Sequence, residues 1–185
     1  LLTHMQQTLR HSDAAESEDR LQNAKDTFFI TLLSRLAAIN PNRTIVVRGV
    51  QRPGVLVEEN ELPSAAVSTD AFRLDWTALH LDATQPMPMA SMTCSIRYAT
   101  DGSLDNGGMN RGRALAAMDG ELAAALTQPP QSAPKVNYTT SGAGAEPTTM
   151  ATSIFWADPV FGLCEAAGER LHVGNDRIAH RAGGG

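Results

Sequence analysis

The chain of 185 residues has few of the residues that build cross-links, metal sites or basic surfaces. Its two cysteines, Cys94 and Cys164, are too few and too far apart for a disulfide framework or a zinc site. So few cysteines favour a reducing compartment, although the sequence also allows one disulfide between Cys94 and Cys164. Its only lysines are Lys25 and Lys135, and the formal net charge is −5. The sequence has no basic stretch of the kind that binds along a phosphate backbone. We expect no metal, no cofactor and no direct binding of nucleic acid.

Long apolar runs and catalytic signatures are also missing. A membrane-spanning helix needs a run of about eighteen apolar residues, and the sequence contains no such run. Leu1–Ser12 lacks the apolar core of an export signal. The chain contains no GxxxxGK[ST] phosphate loop, no GxSxG elbow and no HExxH motif. We therefore expect no membrane partner and none of the common hydrolase chemistries.

An apolar content of 42% is enough for one core, and two amphipathic helices supply part of it. The first helix is predicted from Asp13 to about Ile39, where Asn40-Pro41 ends it. The second runs from Asn110 to Pro129-Pro130 and is rich in alanine, so its buried face is thin. The predicted apolar stripes are Leu21, Phe28, Leu32 and Leu36 in the first helix, and Leu115, Met118, Leu122, Ala125 and Leu126 in the second.

Two-residue alternation predicts the strands. Residues 44–50 and 55–59 are β-branched runs separated by a Pro53-Gly54 turn, which favours a hairpin. The alternation of residues 72–76 then slips by one position near Thr77-Ala78, which predicts a β-bulge or a bend. Two further strands are predicted at 92–98 and 149–156.

Composition sets the predicted boundaries. We expect a flexible N-terminus at 1–12, a single domain at 13–171 and a flexible tail at 172–185. Residues 128–147 are rich in Pro, Ser, Thr and Gly and predict a long loop insertion, and 164–171 predicts a short helical turn. Because the strands cluster instead of alternating with helices, we predict an α+β fold, with a mainly antiparallel sheet and two principal helices packed on one face.

The best catalytic set in the sequence is Cys94 with His80 and Asp75. A thiolate nucleophile needs a base, and the base needs a group that orients it. The competing interpretation is core packing, because Cys94 shares its strand face with the apolar residues Met92 and Ile96.

A few short sequence segments follow the first helix in order. They are the Arg52-Pro53-Gly54-Val55 turn between two strands, the acidic run Glu58-Glu59-Asn60-Glu61 before Pro63, and the strand bearing Trp76 that leads to Leu79 and Leu81. With a helix and a further strand behind them, they resemble the tail terminator (tail-completion) proteins of long-tailed phages. The resemblance covers roughly residues 14–156 and departs from the family at the 128–147 insertion and after Trp156.

The resemblance implies a structural virion subunit that is assembled in the host cytoplasm and works without catalysis. Such subunits form a homomeric ring, here expected to hold six copies, that contacts the tail tube and neck proteins. The interface candidates are Trp76, Phe155, Leu115 and Leu122. Two alternatives stay open: a small cysteine-dependent hydrolase, and a binding module that uses the 128–147 loop.

Overall fold

The computed structural model describes residues 2–57, 69–82, 89–101, 107, 109–139, 146–165, 169–173 and 180–181, with side chains within 21–57, 69–80, 90–101, 107, 109–139 and 146–163. These ranges hold two helices and ten strands. The helices are α1 (Leu2–Ile39) and α2 (Met109–Thr127); the strands are β1 (Thr44–Val47), β2 (Val50–Pro53), β3 (Val55–Val57), β4 (Phe72–Asp82), β5 (Met89–Ala99), β6 (Ser132–Asn137), β7 (Thr148–Phe155), β8 (Cys164–Glu165), β9 (Glu169–Val173) and β10 (His180–Arg181).

A six-stranded sheet forms the centre of the fold. Its strand order is β3-β4-β5-β9-β8, and β10 also pairs with β5. The β3–β4 ladder is parallel, whereas the other ladders among the described strands are antiparallel. Both helices pack their apolar stripes into one core with the sheet, and β1–β2 and β6–β7 form separate two-stranded ribbons. The predicted α+β class is confirmed.

Helix α1 carries the predicted stripe but begins earlier than predicted. Its buried residues Ala24, Phe28, Leu32 and Leu36 recur every four positions, so they lie on one face. The helix starts at Leu2, so residues 2–12, which were predicted as a flexible N-terminus, are helical. No Gly or Pro interrupts the backbone before Asp13, so Asp13, where the helix was predicted to begin, lies inside it.

Helix α2 follows the prediction closely. Its five buried residues are the five predicted from the sequence: Leu115, Met118, Leu122, Ala125 and Leu126. The hydroxyl of Tyr98 on β5 donates a hydrogen bond to Asp119, which ties the helix to the sheet beside this stripe.

The first hairpin turns at Arg48-Gly49 and not at Pro53-Gly54. Strands β1 and β2 pair so that Val47 faces Val50, which leaves a two-residue loop. Arg48 and Gly49 have φ angles of 51° and 80°, the left-handed pair that a tight turn between right-twisted strands requires. Pro53-Gly54 instead joins β2 to β3.

A strand lies inside the predicted loop insertion at 128–147. Residues 132–137 form β6 and pair antiparallel with β7. The Val136 N–H donates to Oγ1 of Thr27 at 2.9 Å, and that hydroxyl donates to the Asn23 carbonyl at 2.7 Å. The contacts with β7 and α1 therefore order this stretch against its composition; residues 140–145 lie outside the described part.

The region after residue 163 also differs from the prediction. Residues predicted as a short helical turn at 164–171 contribute to strands β8 and β9. Strand β9 pairs with β5 from Ser95 to Ala99, because the backbone groups of β5 need partners on this side. Within the predicted flexible tail at 172–185, His180–Arg181 pairs with β5 as well, and residues 174–179 and 182–185 lie outside the described part.

Candidate functional site

A cleft of about 360 Å³ opens between α1 and the irregular part of β4. One wall comes from the exposed end of the α1 stripe and the other from the strand. It is lined by Leu21, Gln22, Lys25, Trp76, Thr77, Ala78, Leu79 and Met92. Most of this lining is apolar, with Lys25 as its charged group.

The irregularity predicted at Thr77-Ala78 is a β-bulge, and it builds the strand wall of the cleft. The ladder between β4 and β5 shifts register between Trp76 and Ala78. Trp76 therefore faces Cys94, and Leu79 faces Met92, so both large side chains project to the helix-covered side. In a regular strand, residues three positions apart point to opposite faces. The bulge thus places a second large apolar side chain on the cleft side, and Leu79 remains 52% exposed there.

Trp76 lies at the junction between the core and the cleft. Its ring meets the Phe28 ring edge-on at a centroid distance of 5.7 Å, and the Nζ atom of Lys25 lies 5.9 Å from its centre. The indole N–H is buried and has no hydrogen-bond partner among the described residues. The cleft therefore offers an aromatic floor with a positive charge beside it, which suits an apolar group next to an acidic one.

Arg35 of α1 fixes the C-terminal end of α2. From α1, Arg35 donates from Nη1 to the carbonyls of Ala125 at 3.0 Å and Gln128 at 2.7 Å. Its Nη2 atom donates to the carbonyl of Pro130 at 2.6 Å, and the guanidinium lies 5.0 Å from the Trp156 ring centre. These contacts satisfy carbonyls that a helix end leaves open. Burial lowers the pKa of Arg35 from its ordinary value, because loss of water disfavours the charged form.

The last residue of β7 and the segment after it carry several exposed apolar side chains. Phe155 is 48% exposed, Val160 57% and Leu163 89%. Phe161 is 37% exposed, and the segment from 156 to 163 has no regular secondary structure. We call residues 155–163 the apolar segment.

The four predicted interface residues differ in their exposure to solvent. Trp76 lines the cleft, and Phe155 begins the apolar segment. Leu115 and Leu122 are 5% and 0% exposed, because the core of the chain itself covers them. Their assignment to an interface with another subunit was therefore wrong, and the thin face of α2 packs inside the protein.

The structure separates the predicted catalytic set. Cys94 is fully buried and faces Trp76 on the helix-covered side of the sheet. His80 pairs with Ser91 and Asp75 with Ser95, so the alternation of β5 places both on the opposite side from Cys94. A base on the other face of the sheet cannot take the proton of the thiol, and this alternative loses its geometric basis.

No protein-family model matches this chain, and no curated protein matches it in sequence. In the part of the chain described here, no helix is both long and apolar enough to cross a membrane. The same part holds no cluster of three His, Cys, Asp or Glu side chains able to bind a metal ion. The acidic run Glu58–Glu61 lies outside the described residues.

Trp76 and the irregularity beside it are visible in the sequence, but the cleft that they form is not. Leu21 was assigned to the core stripe, and Lys25 was not singled out as a site residue. The sequence signal for the cleft is the slip in the strand alternation near Thr77-Ala78. A bulge there moves Leu79 onto the same face as Trp76, so the apolar surface of β4 extends beyond the end of the α1 stripe.

Proposed function

We propose that this protein is a structural subunit that assembles with copies of itself into a closed ring, as tail terminator proteins do on the tail tube of a long-tailed phage. In this role it acts by surface contact in the virion, without catalysis, and it meets tube and neck proteins. A ring of six copies is the expected form.

The apolar segment is the observation that carries this proposal. Single exposed apolar residues are common on monomers, but Phe155 at the end of β7 is exposed together with Val160 and Leu163 in the irregular stretch that follows it. Exposed apolar groups concentrated in this way are typical of surfaces that another protein covers.

The β1–β2 ribbon supports the same proposal. A two-stranded ribbon is marginally stable alone, and among the described elements its main neighbour is α1. Val46 and Val50 are nevertheless 70% and 63% exposed, so the ribbon presents β-branched side chains to solvent. Such a ribbon suits contact with a neighbouring subunit or with the tube.

The two alternatives from the sequence receive less support. A cysteine hydrolase lacks the required approach of His80 to Cys94, which lie on opposite sides of the sheet. A binding module based on the 128–147 loop loses much of its contact element, because residues 132–137 are a paired strand.

Native mass spectrometry of the full chain tests the proposal most directly. We expect a discrete species at a multiple of 19.7 kDa, with six copies as the expected multiple, and annular particles of one diameter by negative-stain microscopy. A protein that stays monomeric at all concentrations, and also with a tail-tube protein added, contradicts the proposal.

A further inference from the structure

The cleft and the apolar segment are complementary in character. The cleft has an aromatic and aliphatic lining with a lysine beside it. The apolar segment presents aliphatic side chains and the exposed residue Asp158, whose Oδ1 atom accepts a hydrogen bond from Nε2 of Gln131 at 2.8 Å. One surface is concave and the other is an irregular stretch of chain with protruding side chains.

The size of the cleft limits what it can hold. Sites for small molecules span about 300 to 1,000 Å³, so a cleft of about 360 Å³ is at the small end of that range. It fits one or two aliphatic side chains better than a large cofactor. Leu163, which is 89% exposed, is the most exposed large apolar side chain described and the natural anchor.

The charges agree with this pairing. Lys25 supplies the positive charge at the cleft, close to the Trp76 ring. Asp158 is exposed and lies five positions before Leu163 in the same segment. A carboxylate brought near the ammonium group from outside gains attraction that salt weakens.

We propose that the apolar segment of one copy docks into the cleft of a second copy, with Leu163 inserted between Trp76 and Leu79. This inference rests on the proposed function and names the contact that joins neighbouring subunits. One copy contributes the segment and the other the cleft, so the contact is heterologous. Contacts of this type generate closed rings when the rotation between neighbours closes.

Two single substitutions separate the halves of the contact. Leu163→Glu disables the segment and keeps the cleft, whereas Leu79→Glu disables the cleft and keeps the segment. Each should weaken self-association by about 100-fold, because a charge replaces an apolar anchor. Met109→Glu is the matched control: Met109 is 58% exposed at the start of α2, so the same charge there should leave the ring intact.

Mixing the two variants gives a sharper test. An equimolar mixture of Leu163→Glu and ¹⁵N-labelled Leu79→Glu contains one working segment and one working cleft. We expect a heterodimer of intermediate isotopic mass and nothing larger, because the remaining segment and cleft are both disabled. Raising the salt concentration should weaken this heterodimer.

The outcomes distinguish the inference from the proposed function. Rings that persist in both single variants overturn the inference and leave the proposed function standing. A wild-type protein that never associates overturns both. A mixture of folded variants, checked by circular dichroism, that yields no heterodimer overturns the inference. The inference is also overturned if Leu79→Glu lowers the unfolding temperature while the ring persists. In that case Leu79 packs against residues of its own chain, and the cleft is not open to a second copy.

Discussion

Arg43 holds Glu121 with two hydrogen bonds, from Nε to Oε2 at 2.6 Å and from Nη2 to Oε1 at 2.9 Å. Both side chains are largely buried, at 14% and 13% exposure. Asn40 adds a third bond to Oε1 at 2.8 Å, and Nη1 of Arg43 donates to the Asp70 carbonyl at 3.2 Å. The pair thus ties the end of α1 and the start of β1 to α2 and to the entry of β4.

We expect Arg43→Ala to lower the free energy of unfolding by about 3 kcal/mol, because it leaves the Glu121 carboxylate buried without its charged partner. Urea denaturation at neutral pH measures the loss. Arg97→Ala is the control, since Arg97 is exposed on β5 and its removal should change stability by less than about 0.5 kcal/mol. Equal effects of the two substitutions contradict the prediction.

The same pair predicts a dependence of stability on pH. Burial works to raise the pKa of Glu121, but hydrogen bonds from Arg43 and Asn40 and the charge of Arg43 outweigh it, so the pKa lies below its ordinary value. A carboxyl whose pKa is lower in the folded state stabilises the fold above its unfolded-state pKa. That stability is lost as the pH falls through the folded-state pKa.

Glu121→Gln should therefore be less stable than the wild type at neutral pH, with a difference that shrinks as the pH falls below about 4.5. Urea melts of both proteins at pH 7 and in the acid range measure this. A difference that stays constant across the range contradicts the assignment.

Two glycine substitutions should have opposite signs. A Cβ atom at Gly54 would lie 3.1 Å from Cγ of Arg43 and 3.3 Å from the carbonyl oxygens of Arg43 and Asp70. Gly54→Ala should therefore cost about 1–3 kcal/mol. At Gly120, on the exposed side of α2, a Cβ atom meets nothing within 4 Å, so Gly120→Ala should stabilise by about 0.5–1 kcal/mol. Thermal melts of both variants decide.

Trp156→Phe should destabilise the protein by about 1–3 kcal/mol while keeping most of the apolar contact. The indole Nε1 donates to the Leu126 carbonyl at 2.8 Å, and this buried acceptor loses its strongest donor in the variant. Gln131 also reaches that carbonyl, at 3.3 Å, and should compensate in part. A double-mutant cycle with Gln131→Ala measures that compensation, and simple additivity of the two effects argues against it.

Cys94 should react slowly with alkylating reagents. It is fully buried between Met92 and Ile96 on the helix-covered face, so the reagent cannot reach the thiol in the folded protein. The measurement uses a Cys164→Ser background, so that a single thiol reports. Labelling as fast as in the urea-unfolded chain would revive the cysteine hydrolase alternative.

The elements that sequence patterns predicted are those that local periodicity determines. All five buried positions of α2 and the bulge after Trp76 follow from counting apolar residues. Strand β6 does not, because Pro134 and Lys135 are poor strand residues and the pairing depends on β7 and on Thr27 of α1. Partners distant in sequence decide that element.

Turn and site positions were harder for a related reason. Pro53-Gly54 carries a stronger turn signal than Arg48-Gly49, yet strand pairing placed the two-residue turn at the latter. The cleft needs α1 and β4 side by side, and no spacing along the chain contains that information. Trp76 could be named from the sequence, whereas its neighbour Lys25 could not.

The hydrogen bond between Thr27 and Val136 joins residues 109 positions apart in the chain, and this distance along the sequence affects the rate of folding. The stripe of α1 is synthesised before β5, α2 and β7, which cover it and follow much later in the chain. Contacts between such distant segments must overcome a large loop entropy before they form, which slows folding. A nascent chain that stops short of β7 leaves Phe28 and Leu32 without much of their cover and is exposed to aggregation at that stage.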